Sequence, residues 1–125
     1  MGAGGLLSVS ACGEEAGTPP QPRSDGDPDR TLVDEVVEHI TATAALSGRV
    51  PKLTAVHAAH LVALEAEPVS AGPAPLARLR RAETRLQRLL VDASLRAESG
   101  TLARLFASMS AAISQQLATL PKARA

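Results

Sequence analysis

The amino-acid sequence predicts an all-α fold, an up-down-up-down four-helix bundle that follows a disordered N-terminal tail. Ala and Leu supply most of the apolar residues and Phe106 is the only aromatic one, a composition that favours helices over sheets. Four segments within residues 29–120 carry apolar residues at the three- and four-residue spacing of a helix face. Gly and Pro separate the segments, and connections of this length are typical of bundles.

The first twelve residues, MGAGGLLSVSAC, predict a targeting signal rather than part of the fold. Residues 9–12, Val-Ser-Ala-Cys, resemble a bacterial lipobox, in which signal peptidase cleaves before a Cys that then receives a lipid. The apolar stretch is short and no Arg or Lys precedes it, so we interpret residues 1–12 as the remnant of a lipoprotein signal peptide with Cys12 as the lipidation site. The alternative is a lone Cys in a disordered tail.

Residues 13–28 are rich in Pro, Gly, Ser and acidic residues and cannot bury enough apolar surface to order themselves. We therefore predict a flexible tether between the lipidated Cys and the bundle. The bundle is predicted over residues 29–120, and residues 121–125 are predicted to fray after Pro121.

The second helix contains the most unusual pattern in the chain. It is predicted from about Pro51 to Glu67, where Pro68 stops it. Its predicted inward face consists of Leu53, Val56, His57, His60, Leu64 and Glu67. Two imidazoles thus occupy positions where a bundle normally has Leu or Val. Because a buried polar group without a partner costs about 1–3 kcal/mol, the other helices are expected to supply partners.

Two such partners are predicted from helix heights. Glu83 lies on the inward face of the third helix, about 75–97, and Gln116 on that of the fourth, which begins after Gly100. In an antiparallel hairpin, His60 and Glu83 are each about 10 Å from the turn between their helices. The sequence therefore predicts one polar layer, made of His57, His60, Glu83 and Gln116.

Three roles for this layer stay open. The first is a hydrogen-bonded core layer that sets the register of the helices. The second is a transition-metal site, in which His57, His60 and Glu83 are the ligands. The third is a proton-linked switch, because His titrates near neutrality. No cofactor is otherwise expected.

Arginines form a stripe on the face of the third helix opposite its core, at Arg78, Arg81, Arg85, Arg88 and Arg96. We interpret the stripe as a solvated face, with binding of lipid headgroups as the alternative. Thirteen basic residues balance thirteen acidic ones, and no aromatic residues are interleaved for base stacking, so nucleic acid is not expected as a partner. A protein partner or a homo-oligomer remains open.

Three segments resemble a group of actinobacterial lipoproteins that have a ferritin-like helical domain. The segments are LTAVHAAHLVAL at 53–64, LARLRRAETRL at 76–86 and GTLARLFASMSAAISQQLATL at 100–120. In that group a helix with two His three residues apart and a later Arg-Ala-Glu helix follow a lipoprotein signal. The resemblance implies a ferritin-like four-helix bundle in the cell envelope, and it implies no activity. A ferritin-like di-iron site would require Glu-x-x-His on two helices, and this sequence contains no Glu-x-x-His.

The function expected from the sequence is that of a non-enzymatic interaction or scaffold module, lipid-anchored at the extracytoplasmic face of the cell membrane. The alternative is a bundle that binds a metal or small ligand in its polar layer. An enzyme is not expected, because there is no nucleophile motif, no Gly-rich phosphate loop and no carboxylate pair placed for acid–base work.

Overall fold

The computed structural model describes residues 27–122, and this part of the chain forms four helices and no strand. The helices are α1 Pro28–Ala44, α2 Pro51–Ala63, α3 Leu76–Arg96 and α4 Gly100–Thr119. The predicted all-α four-helix bundle is confirmed. Cys12, the predicted signal remnant, the tether up to residue 26 and the last three residues of the predicted frayed tail lie outside the described residues.

Polar side chains define where two of the helices begin. Asp27 caps α1, because its Oδ1 accepts hydrogen bonds from the backbone N–H groups of Asp29 at 2.9 Å and Arg30 at 3.3 Å. Pro28 follows in the first turn, where a missing N–H costs nothing. Ser99 caps α4 in the same way, accepting from the N–H of Leu102 at 3.2 Å.

The end of α2 comes four residues earlier than the predicted Glu67. Glu65 adopts a φ of 62° and so turns the chain out of the helix. The N–H of Glu65 then donates to Val62 O at 2.9 Å, and that of Ala66 donates to Leu61 O at 2.8 Å. These two bonds form a Schellman motif, which satisfies carbonyls that the end of a helix leaves unpaired. The apolar pattern continues beyond Leu64, so it did not reveal this end.

The direction of α3 differs from the predicted up-down-up-down order, because α2 and α3 run parallel. Residues 64–75 form a crossover that returns from the end of α2 to the turn between α1 and α2. There the N–H of Gly72 donates to Ala45 O and the N–H of Gly48 donates to Gly72 O, both at 2.9 Å. The order is therefore up-down-down-up. A 13-residue α2 is about 20 Å long, and the crossover exceeds that length when extended.

Gly48 permits this close approach of two backbone segments. A Cβ atom at position 48 would lie 2.7 Å from both the C and the O atom of Gly72. Any side chain there would push the crossover away from the turn, so the position requires Gly.

Each helix packs against two antiparallel neighbours. Helix α1 packs on α2 and α3, and α4 also packs on α2 and α3, which places α2 and α3 at opposite corners of the bundle. One large buried cluster joins the helices: Leu32, Val36, Ile40, Leu61, Leu86, Leu90, Ala93, Phe106, Met109 and Ile113. A smaller cluster of Leu53, Leu79 and Leu120 closes the end at which α2 and α3 begin.

Asp29 ties the start of α1 to the turn between α3 and α4. Its Oδ1 accepts from the N–H of Glu98 at 2.8 Å and its Oδ2 accepts from the N–H of Ser99 at 2.9 Å. The side chain is buried. In the sequence Asp29 indicated only the start of a helix, because its partners lie about seventy residues further along the chain.

We expect Asp29→Ala to lower the free energy of unfolding by about 1–2 kcal/mol, because two part-buried hydrogen bonds lose their charged acceptor. Urea denaturation followed by circular dichroism measures the change. Asp34→Ala, at an exposed position of the same helix, is the control. Equal effects of the two substitutions would contradict the role given to Asp29.

Candidate functional site

A buried hydrogen bond joins His57 of α2 to Glu83 of α3. The Nε2 of His57 lies 2.6 Å from the Oε2 of Glu83, and neither side chain is exposed to solvent. His57 comes six residues after Pro51, and Glu83 comes seven after Leu76. Because α2 and α3 begin at the same end of the bundle, these two residues are level and meet across its diagonal.

The partner of Glu83 is thus His57, whereas an antiparallel hairpin of α2 and α3 was predicted to place His60 level with Glu83. In such a hairpin, the heights of both residues are counted from the turn between the two helices. With α2 parallel to α3, the heights are counted from the starts of the two helices instead, and the level residue moves from His60 to His57.

His60 lies at the edge of the buried face and is half-buried. The buried residues of α2 are Leu53, His57 and Leu61, and the completely buried Leu61 was not among the predicted inward residues. Burial, and next the neighbouring His57, lower the pKa of His60 from 6.5 to about 4. Glu67, predicted to face inward, is exposed beyond the end of the helix.

Gln116 is half-buried on α4. Within residues 27–122 its side-chain amide forms no hydrogen bond to His57, His60 or Glu83. Its backbone carbonyl accepts from the hydroxyl of Thr119 at 2.9 Å. Of the four predicted members of the layer, the structure therefore brings His57 and Glu83 into direct contact and leaves Gln116 outside their hydrogen bond.

Three buried polar atoms in this part of the bundle lack a hydrogen-bond partner among the described residues. They are the Nδ1 atoms of His57 and His60 and the Oε1 atom of Glu83. Such atoms weaken a core by about 1–3 kcal/mol each. Imidazole nitrogens and carboxylate oxygens are also the donors that zinc, copper and iron take. Within residues 27–122, however, no three His, Cys, Asp or Glu side chains are grouped closely enough to hold a metal.

Solvent does not reach the His57–Glu83 pair through either of two surface grooves in the described part of the chain. The larger groove, about 480 Å³, lies between the start of α1, the end of α2 and the start of α4. The smaller groove, about 290 Å³, lies between the start of α1 and Arg96. Neither groove is lined by His57 or Glu83. The pair can share a proton across its 2.6 Å contact, and it is sealed from solutes.

Sequence reasoning missed two polar contacts that hold the end of the bundle at which α2 begins. The hydroxyls of Ser47 and Thr54 lie 2.8 Å apart, and Thr54 Oγ1 also donates to Ser47 O at 3.0 Å. Arg80 donates to the carbonyls of Leu120 at 3.1 Å and Pro121 at 2.7 Å, which closes the end of α4. The pairs are 7 and about 40 residues apart, and no pattern in the sequence links their members.

No known protein family, curated protein or solved structure matches the chain. None of the described helices has the length and apolar character needed to cross a membrane.

Replacing one member of the buried pair should destabilise the bundle far more than replacing both. We expect Glu83→Leu to cost about 3–5 kcal/mol of unfolding free energy, since it leaves His57 buried without a partner. The double variant His57→Leu/Glu83→Leu should recover most of that loss, because two apolar side chains can pack there. Chemical denaturation of the four proteins in this double-mutant cycle measures the coupling, and strictly additive effects would contradict a direct interaction.

Acid should weaken the fold through His60. Its pKa is about 4 when folded and 6.5 when unfolded, so between these values the unfolded chain binds more protons. This contribution to stability is complete above pH 6.5 and is lost as the pH falls toward 4. Unfolding free energies of wild type and His60→Gln at several pH values test this, and the wild type should lose more. His39→Gln, at an exposed histidine of α1, is the control; identical slopes for wild type and His60→Gln would contradict the prediction.

Proposed function

We propose that the chain is a lipid-anchored protein of the cell envelope whose helical bundle serves as a non-enzymatic interaction or scaffold module. The observation that carries the proposal is the burial of the His57–Glu83 pair. Its side chains are 0% exposed and are hydrogen-bonded to each other at 2.6 Å. A pair held in this way sets which helices meet and at what height, whereas a catalytic acid or base must touch a substrate.

The connectivity of the helices supports a ferritin-like bundle as the more specific class. Ferritin-like bundles have one long crossover connection, while up-down-up-down bundles have none. Residues 64–75 form such a crossover between the parallel helices α2 and α3. This agrees with the resemblance to ferritin-like lipoproteins on residues 53–64, 76–86 and 100–120.

The anchor is proposed on the sequence of residues 9–12. Mass spectrometry of the chain isolated from the envelope of its native cell is the test. We expect an N-terminal Cys12 that carries acyl chains, and we expect Cys12→Ser to move the protein into the soluble fraction. Ser10→Ala keeps a small residue in the lipobox and is the control. An intact Met1, or a Cys12 without lipid, would remove the anchor from the proposal.

The second candidate is a bundle that binds a metal or small ligand, and the three buried atoms without hydrogen-bond partners favour it. Because no three such side chains among residues 27–122 are grouped closely enough to hold a metal, His57 or His60 would have to move for these atoms to bind one ion. Calorimetric titration of the full chain with zinc, copper and iron tests this. Binding tighter than about millimolar that is lost in His60→Ala and kept in His39→Ala would support a site. No binding, or binding that His60→Ala leaves unchanged, would exclude it.

A further inference from the structure

Charge is separated along the axis of the bundle, although the chain as a whole has no net charge. Five exposed basic residues lie at the end where α1 and α4 finish and α2 and α3 begin. We call this group the cationic end: Arg49, Lys52, Arg78, Arg81 and Lys122. The up-down-down-up order gathers them, because it places the turn after α1, the starts of α2 and α3 and the end of α4 together.

No acidic side chain pairs with the cationic end. Within residues 27–122 none of its five members forms an ion pair, and Glu38, an exposed residue six positions before the end of α1, forms none with them. Glu83, the nearest acidic residue along α3, is completely buried against His57. Most other acidic residues lie toward the opposite end, where Glu35, Asp92 and Arg96 form an ion-paired group.

We propose that the cationic end binds an anionic phospholipid surface. Its members come from four separate segments and spread over the blunt end of the bundle, whereas the two grooves described above lie near the other end. An extended layer of phosphate groups matches such a surface better than a small anion in a pocket. Single-stranded nucleic acid lacks a stacking platform here, since the only aromatic residue, Phe106, is buried.

This inference deepens the proposed function and rests on it for the presence of a membrane. It assigns the interaction module a partner and an orientation, with the turn between α1 and α2 directed at the lipid. A basic residue near an anionic bilayer contributes roughly a fivefold gain in affinity. Five such residues together suffice for binding without an acyl chain.

The experiment uses the full chain with Cys12→Ser, which cannot be lipidated, so that its outcome is independent of the anchor. Sedimentation is measured with vesicles of phosphatidylcholine alone and of phosphatidylcholine with 30% phosphatidylglycerol, on the order of the anionic content that attracts basic segments. Two double variants have the same change in charge and replace exposed arginines that form no ion pair: Arg78→Glu/Arg81→Glu at the cationic end and Arg30→Glu/Arg104→Glu toward the other end.

We expect the protein to bind the vesicles that contain phosphatidylglycerol and not those of pure phosphatidylcholine. Added salt should weaken this binding, and Arg78→Glu/Arg81→Glu should lower the affinity by at least about 25-fold. The affinity of Arg30→Glu/Arg104→Glu for the same vesicles should stay within about threefold of that of the parent protein. Absence of binding, or equal losses of affinity in both variants, would overturn the proposal. Neither result would bear on the lipid anchor, which the mass of the mature N-terminus tests separately. Binding to duplex DNA in place of vesicles would overturn it as well, and competition by inorganic phosphate at constant ionic strength would indicate a free anion instead.

Discussion

The return of the crossover to the turn between α1 and α2 is the constraint on which the rest of this structure depends. Two backbone hydrogen bonds hold it there, from Gly72 to Ala45 and from Gly48 to Gly72. They make α3 start beside the start of α2, and so they make the two helices parallel. Two features follow from this parallel direction. They are the diagonal contact of His57 with Glu83 and the grouping of basic side chains at one end of the bundle.

The buried pair shows how a small core tolerates polar groups. Taking an imidazole and a carboxyl group out of water costs several kcal/mol, and one short hydrogen bond offsets only part of this. The contact leaves one atom of each partner without a hydrogen bond among the described residues. In return, the pair makes the alignment of α2 against α3 specific, because only one alignment brings the two groups together.

Composition and periodicity predicted the helices and the inward position of Glu83, because a helix face repeats every three to four residues whatever surrounds it. They did not predict the direction of α3, since the same amphipathic helix packs equally well in either direction. The wrong direction then shifted the expected partner of Glu83 from His57 to His60. The contacts of Asp29 were out of reach for a related reason. A carboxylate at a helix start looks like a cap, and nothing local reveals that it binds a turn some seventy residues away.

The crossover also divides the described part of the chain into two helical hairpins, α1 with α2 and α3 with α4. Each hairpin forms from residues close in sequence. The two meet through long-range packing, the His57–Glu83 contact, the Glu35–Arg96 ion pair and the hydrogen bonds of Asp29 to the turn before α4. Glu67, Pro68 and Ser70 of the crossover are exposed. A chain cut there would consist of two fragments that each lack half of one core, which is the arrangement that allows split proteins to reassemble by complementation.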